Sequence, residues 1–261
     1  MPNIMKVPAT CTTSWDDGHP LDLRLAELLS KYDLTGTFYV PFENSRKVMT
    51  RREMTELLGR FELGSHTVHH TVLTEVSDDV ADAEIRQSKS GMEDLTGLPC
   101  ETFCFPKGRF RRRHLGMVRR AGYQCARTVE LLSTGLCKQR AGISLIPTTV
   151  QVSDHGWAAY AKNCAKRLSV RNLANSIMYA RSRNWVATAR TMLQAIAQHG
   201  GVFHLWGHSW EIDAQHQWVQ LEAVLREMHA LRFAAPCVTN SALARLSVVD
   251  SIHPARLGCH T

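Results

Sequence analysis

The stretch CTTSWDD, residues 11–17, is a run of β-forming and apolar residues that ends in two carboxylates. Leucines lie broadly on one side of a helical segment at 21–32, and TGTFYV at 35–40 indicates the next strand. Strands that alternate with helices in this way favour a parallel sheet covered by helices. The start of the chain therefore predicts the α/β class, with a sheet that is either open or closed into a barrel.

The same alternation continues through most of the chain. Further strands are predicted at FELGSH (61–66), TFCFP (102–106), YQCART (123–128), SLIPTTVQV (144–152) and GVFHLWG (201–207). Helices are predicted from the capping residue Thr50 to about 60, from Ser77 to Gly97, and at 111–121, 156–168, 171–183, 185–199 and 215–231. A strand and a short helix are predicted within 233–250. We expect one domain over 1–250 and a loose tail over 251–261.

The composition indicates an ordinary globular protein, because 44% of the residues are hydrophobic and 21% are charged. No apolar run is long enough for a transmembrane helix, and the first residues lack the pattern of a signal peptide. The eight cysteines include no CxxC pair, which favours reduced thiols and a cytoplasmic location. The charge of +7 is consistent with an anionic substrate or a membrane surface, and no nucleic-acid module accompanies it.

Candidate chemical residues follow the predicted strands, at the edge where catalytic residues cluster in parallel β/α folds. Asp16 and Asp17 end the first strand, and neighbouring carboxylates repel each other unless a cation or hydrogen-bond donors compensate. A strand-ending Asp-Gly turn is the simpler explanation of this pair. A shared active site is favoured because His66, Lys107 and His208 also end strand-like runs.

HTVHH at 66–70 spaces His66 and His70 so that one turn of helix would place both imidazoles on the same face. His69 offers a competing pair with His66, and surface histidines explain many such patterns. Two histidines with one carboxylate, here Asp17, form a typical catalytic Zn²⁺ set that leaves a position for water. Co²⁺, Ni²⁺ or Fe²⁺ could bind similarly. Such an ion lowers the pKa of bound water to about 7 and polarises a carbonyl.

GVFHLWGH at 201–208 contributes two further histidines, either of which could be a buried structural residue. His204 should lie within the strand, whereas His208 follows Trp206 and Gly207, where the strand should end. We therefore predict that His208 is the catalytic acid and keep His204 as the alternative.

These segments together resemble the motifs of the polysaccharide deacetylases, the NodB homology group of carbohydrate esterase family 4. SWDDG (14–18), HTVHH (66–70), FPKG (105–108) and HLWGH (204–208) occur in the order that the family has them. The resemblance implies a distorted (β/α) barrel that hydrolyses an N-acetyl group, less often an O-acetyl group. It also implies that Asp17, His66 and His70 bind the metal, that Asp16 is the base, and that His208 is the acid. The backbone N–H near Lys107 would help to stabilise the oxyanion.

Two family features are missing from the sequence. Family members often have an arginine in the third motif, where this chain has Phe103-Cys104-Phe105, and we predict that Arg127 replaces it. The fourth motif, usually an Asp–Trp arrangement, is not recognisable. The expected activity is N-deacetylation of a nucleotide sugar, lipid-linked saccharide or oligosaccharide in surface-polysaccharide biosynthesis. The alternatives are a metal-dependent amidohydrolase acting on a non-sugar amide and a saccharide-binding relative with little turnover.

Overall fold

The computed structural model describes residues 7–154 and 184–252. Its strands are β1 (Ala9–Asp16), β2 (Thr37–Val40), β3 (Glu62–Ser65), β4 (Thr102–Cys104), β5 (Cys125–Arg127), β6 (Lys138–Arg140), β7 (Ile143–Ile146), β8 (Val150–Gln151), β9 (Gly201–Gly207) and β10 (Cys237–Val238). Its helices are α1 (Asp22–Lys31), α2 (Arg51–Glu56), α3 (Asp78–Thr96), α4 (Arg112–Arg120), α5 (Trp185–His199), α6 (Ser209–Ala214), α7 (Trp218–Ala230) and α8 (Asn240–Ile252). Short 3-10 turns occur at Leu73–Glu75 and Pro106–Gly108.

The strands form one curled sheet in the order β6-β7-β5-β4-β3-β2-β1-β9-β8, and β10 pairs with the start of β1. Every neighbouring pair is parallel except β6 with β7. The predicted fold class is confirmed, because the structure is a mostly parallel, barrel-like sheet covered by helices. The carboxyl ends of its parallel strands meet at one edge, where the candidate residues were expected.

Strand β1 lies between β2 and β9 in this sheet and carries the first candidate residues at its end. It pairs with β9 from Ala9 opposite Gly201 to Trp15 opposite Gly207, and all its residues from Thr10 onwards are buried. Helix α1 packs its leucines Leu25 and Leu29 into the same core. Replacing either leucine with alanine would cost about 2–5 kcal/mol of stability, because the surrounding core could not fully close the cavity that the lost side chain leaves.

The ends of α3 follow the local signals in the sequence. The Ser77 side chain accepts a hydrogen bond from the Val80 backbone N–H, and Gly97 ends the helix with a φ of 67°. A left-handed residue closes the helix at little cost when it is glycine. Helix α2 starts with a capping box between Thr50 and Glu53 but ends at Glu56, earlier than predicted.

The single strand predicted at 144–152 is wrong, because the segment forms β7 and β8 on opposite sides of the sheet order. Pro147 lacks a backbone N–H and separates the two strands. After it, the Thr148 N–H bonds to the Glu130 carbonyl and the Thr149 N–H to the His204 carbonyl. The segment thereby passes from the neighbourhood of β5 to that of β9.

Two other regions differ from the predictions or lie outside the described residues. The helix predicted at 215–231 is preceded by the short α6, and the turn between α6 and α7 contains His216 at a φ of 55°. The helices predicted at 156–168 and 171–183 lie outside the described residues, as does the tail from 253. The six cysteines of the described residues are free. No helix in that part of the chain is long and apolar enough to cross a membrane.

Candidate active site

A cavity of about 450 Å³ opens at the carboxyl ends of the parallel strands. Six predicted residues line it, namely Asp16, Asp17, His66, His70, Lys107 and His208. Its walls also contain the side chains of Arg46, Phe105, Val129, Leu131, Gln151, Trp206 and Trp210. The structure therefore brings together residues that are far apart in the sequence, and it places the predicted Arg127 in the core behind Asp16.

Backbone strain is concentrated around this cavity. Asp17, Thr67, His70 and Lys107 have φ angles of 78°, 64°, 53° and 55°, in the left-handed region that non-glycine residues rarely adopt. Each such residue costs of order 1–3 kcal/mol and persists only where the surrounding structure imposes it. The strain marks the loops after β1, β3 and β4 as a site whose geometry is held by its surroundings.

The segment HTVHH is a loop and not a turn of helix, so the helical interpretation of its spacing is wrong. The Thr67 hydroxyl accepts the Thr71 N–H at 2.8 Å, and the loop bends back on itself. Glu84 of α3 accepts the N–H groups of Val68 and His69 at 2.9 and 3.1 Å. These contacts bring both outer histidines beside Asp17 without any helical geometry.

The competing pair of His66 with His69 is not formed. The His69 ring bonds through Nδ1 to Glu84 at 2.6 Å, and its Nε2 lies 3.8 Å from Glu43 at the surface. His69 therefore belongs to the clamp that holds the loop, and it does not line the cavity.

Asp17, His66 and His70 offer three ligand atoms to a common point. The Oδ1 atom of Asp17 lies 3.2 Å from Nε2 of His70 and 3.7 Å from Nε2 of His66. A tetrahedral zinc site with bond lengths of about 2.1 Å places its ligand atoms about 3.4 Å apart. The same Oδ1 atom is buried and has no hydrogen-bond partner among the described residues. The three residues fit a divalent metal ion of this type.

Hydrogen bonds from outside the trio orient its ligand atoms. The Nδ1–H of His66 donates to the Cys104 carbonyl at 2.8 Å, which directs the lone pair of Nε2 towards Asp17. Burial lowers the pKa of His66 to about 4, so the ring is neutral, as a metal ligand must be. The indole N–H of Trp210 donates to Oδ2 of Asp17 at 2.9 Å. Trp210 is a residue of the site that was not predicted from the sequence.

A second possible ligand set, Asp16, His66 and Cys104, is less suitable. The Cys104 thiol donates to Oδ2 of Asp16 at 3.8 Å, and burial raises the pKa of this thiol well above its ordinary value. A cysteine binds metal as the thiolate, which this environment disfavours. The set that contains Asp17 is therefore the better metal site.

Asp16 forms a buried ion pair with Arg127, which lies at the end of β5. Burial raises the pKa of Asp16, but the Arg127 guanidinium, followed by His66 and His208, lowers it below the ordinary value. The guanidinium also lies over the Trp206 ring, 4.6 Å from its centroid. The Asp16 Oδ1 atom is buried and unpartnered among the described residues. Arg127 thus supplies the charge that the third motif lacks, and Asp16 stays ionised with one oxygen available as a proton acceptor.

His208 and His204 have different surroundings, although both come from the β9 segment. His208 lines the cavity, with Nε2 4.0 Å from Oδ2 of Asp16 and Nδ1–H donating to Glu211 at 3.1 Å. Burial lowers the pKa of His208, but the Glu211 hydrogen bond and the charge of Asp16 outweigh this, so the pKa is raised. A histidine with a raised pKa carries a proton that it can donate. Glu211 is a further site residue that the sequence analysis missed.

His204 is a structural residue within β9. Its Nδ1–H donates to the Pro147 carbonyl and its Nε2 accepts the Ser14 hydroxyl, both at 2.8 Å. Burial lowers its pKa to about 3, and the ring does not line the cavity. The geometry favours His208 as the proton donor.

Lys107 contributes backbone geometry to the wall of the cavity. In the turn Pro106–Gly108 the N–H groups of Gly108 and Arg109 donate to the carbonyls of Phe105 and Pro106. The backbone N–H of Lys107, which comes just before these two donors, has no hydrogen-bond partner among the described residues. An unpaired amide beside the metal trio can donate to an oxyanion.

Comparison with known proteins finds a match to one family model over part of the chain and a shared fold. The family model described as polysaccharide deacetylase matches residues 7–126. A structure from Mycobacterium smegmatis, assigned as a polysaccharide deacetylase, is similar with a TM-score of 0.65 and 15% identity over 100% of this chain and 96% of that one. The chitin deacetylase of Colletotrichum lindemuthianum has a TM-score of 0.57 and 15% identity over 92% and 90% of the two chains. The peptidoglycan deacetylase PdaC of Bacillus subtilis has a TM-score of 0.56 and 16% identity over 94% of both.

No curated protein matches the sequence of this chain. The family match includes the segments at 14–18, 66–70 and 105–108 and ends before β9, the strand that leads to His208. At these identities the structural similarities show the fold alone.

Proposed function

We propose that the chain removes the N-acetyl group from an acetamido sugar with a bound divalent metal ion, because residues 7–126 match the polysaccharide deacetylase family model. One observation carries this proposal. The buried Oδ1 atom of Asp17 has no hydrogen-bond partner among the described residues and faces Nε2 of both His66 and His70. A buried carboxylate oxygen without a partner is costly unless a cation compensates it.

Asp17, His66 and His70 would hold the metal, and zinc is preferred because imidazole ligands suit it. When bound, such an ion lowers the pKa of a coordinated water and polarises the acetyl carbonyl. The protein keeps His66 neutral by burial and holds Asp17 in place through Trp210. His66 is thus in the protonation state that metal binding requires.

The residues around the trio supply the proton transfers. Asp16 accepts a proton from the attacking water, and its ion pair with Arg127 keeps it ionised for that task. The oxygen of the water bonds to the acetyl carbon, and the charge that develops on the carbonyl oxygen is stabilised by the Lys107 amide. The carbon–nitrogen bond then breaks as His208 donates a proton to the departing amine, and the products are acetate and the free amino sugar.

The proposed substrate is a nucleotide sugar, a lipid-linked saccharide or an oligosaccharide in the biosynthesis of a surface polysaccharide in the cytoplasm. Trp206, Trp210 and Phe105 give the cavity apolar and aromatic walls against which a sugar ring can pack.

The test combines metal analysis with measurement of acetate release. Asp17→Ala should lose the metal and the activity, whereas Asp16→Asn should keep the metal and lose most of the activity. Full activity in Asp16→Asn would exclude Asp16 as the base. Acetamido sugars are compared with small linear and cyclic amides, and release of the acid from the amides alone would favour a non-sugar amidohydrolase. Metal binding without turnover of either class would favour a saccharide-binding role.

A further inference from the structure

A second groove, of about 970 Å³, begins where the active-site cavity ends. Gly108 lines both spaces, so the two are contiguous. Gly108 has a φ of 62°, and a Cβ at this position would lie 2.2 Å from a methyl carbon of Val129. Glycine avoids both this clash and the strain of a side chain at a positive φ.

Most of the charged residues that line this groove are cations. One wall is the segment that leads into α4, with Arg109, Arg111 and Arg112, and the other is β6, with Lys138 and Arg140. A single carboxylate, that of Glu130, is among the lining residues. The arginines of this wall are close together in the sequence, whereas the position of β6 opposite to them depends on the fold.

Ion pairs neutralise some of these cations and leave three without a carboxylate partner. Arg109 pairs with Glu75 and Lys138 with Glu130, and the neighbouring Arg113, which does not line the groove, pairs with Asp78. No carboxylate in 7–154 or 184–252 lies within ion-pair distance of Arg111, Arg112 or Arg140, the three exposed arginines that we call the groove arginines. Guanidinium groups bind the oxygens of phosphate and carboxylate groups in a bidentate manner.

The position of the basic residues at α4 is also unfavourable in the free protein. The first turn of this helix contains Arg112 and no acidic residue. Cations at a helix N-terminus are repelled by the partial positive charge of the unpaired N–H groups, which favours anions there. A bound oxyanion would relieve this repulsion and also pair with the groove arginines.

We propose, on the basis of the function proposed above, that the groove arginines bind an oxyanion carried by the substrate next to the acetamido sugar. The group is a phosphate or a uronate carboxylate, and the chain that bears it runs from the active-site cavity over Gly108 into the groove. The groove thereby selects acidic saccharides over neutral ones of the same length.

The test uses three acetamido substrates: a neutral chitin tetrasaccharide, a hyaluronan tetrasaccharide with uronate groups, and UDP-N-acetylglucosamine with a diphosphate. The variant R111Q/R112Q/R140Q is compared with wild type and with the matched control R52Q/R86Q/R226Q. The control removes the same charge from exposed arginines that line neither space. Binding of pyrophosphate and of the hyaluronan tetrasaccharide is measured separately by calorimetry.

Wild type should prefer one anionic substrate by about tenfold or more in kcat/KM at low salt, the equivalent of about one charge-assisted hydrogen bond. The groove variant should lose this preference through a higher KM and keep its kcat on the chitin tetrasaccharide, whereas the control should behave as wild type. The preferred substrate distinguishes phosphate from uronate, and the preference should weaken as salt is added.

The outcomes separate this inference from the proposed function. Acetate release with no preference for either anion, and no binding of pyrophosphate or hyaluronan tetrasaccharide, overturns the groove and keeps the deacetylase. Anion binding that the groove variant loses, with no acetate release from any substrate, overturns the deacetylase and keeps the oxyanion site. Equal loss in the control variant overturns the groove, because the effect would then come from net charge alone.

Discussion

Replacing Arg127 with methionine removes the charge that compensates Asp16 inside the protein. Methionine can keep part of the apolar contact that the guanidinium makes with Trp206, so the charge is the main loss. Breaking a buried ion pair by removing one partner costs about 3–5 kcal/mol, because the other charge stays buried and unpaired. Nε and Nη1 of Arg127 lack hydrogen-bond partners in the described structure, which places the expected loss at the lower end.

The pH dependence of this variant follows from the pKa of Asp16. In wild type that pKa lies below its ordinary value, so ionised Asp16 stabilises the fold above the unfolded pKa and loses this effect as pH falls through the folded pKa. Without the guanidinium, burial dominates and raises the pKa of Asp16. The acidic limb of kcat/KM against pH should therefore move to higher pH, and activity at neutral pH should fall.

Urea unfolding at pH 7 measures the stability loss, and acetate release from pH 4 to 9 measures the limb. Arg127→Lys keeps a charge and is the matched control, with a smaller effect on both. Adding Asp16→Asn to Arg127→Met should restore part of the stability, because the double variant has no buried charge left at this pair. A loss below 1 kcal/mol together with an unchanged acidic limb would refute the dependence of Asp16 on Arg127.

Three further changes test other contacts. Trp210→Phe removes the donor to Asp17 and should weaken zinc binding by about tenfold or more without unfolding the protein, as a chelator competition would show; unchanged affinity would remove Trp210 from the metal site. Cys104→Ala should keep the metal stoichiometry, and loss of the ion would instead favour the ligand set that contains this thiol. Gly108→Ala should lower the unfolding free energy by more than about 1 kcal/mol, because its Cβ meets Val129 at a strained φ; a Tm equal to that of wild type would contradict this.

The sheet and the residues at its edge were predictable because both depend on local signals. Strand β9 occurs at the predicted residues 201–207, since a continuous apolar run between a glycine pair and Gly207-His208 leaves little freedom. Asp17, His66 and His208 follow strands, and the ends of parallel strands meet at one edge. Arg127 was also accessible by this argument, because it ends β5.

The remaining features depend on contacts between distant segments, which a single sequence does not contain. The loop that holds His66 and His70 is shaped by Glu84 of α3, so the HxxxH spacing alone suggested a helix incorrectly. Trp210 and Glu211 were missed because α6 was not predicted, and both lie on that short helix. The division of 144–152 into two strands depends on the strands that pair with it: β5 pairs with the residues before Pro147, and β9 pairs with the residues after it.

The pairing of β1 with β9 has a consequence for how the protein folds. Ser14 and His204, which bond across this pair, are 190 residues apart along the chain. Contacts between such distant segments require a large loss of chain entropy before they contribute stability, and they slow folding. Asp16 and Asp17 lie at the end of β1, and His208 directly follows β9. On the ribosome, the base and the acid can therefore meet only after the segment that carries His208 has emerged.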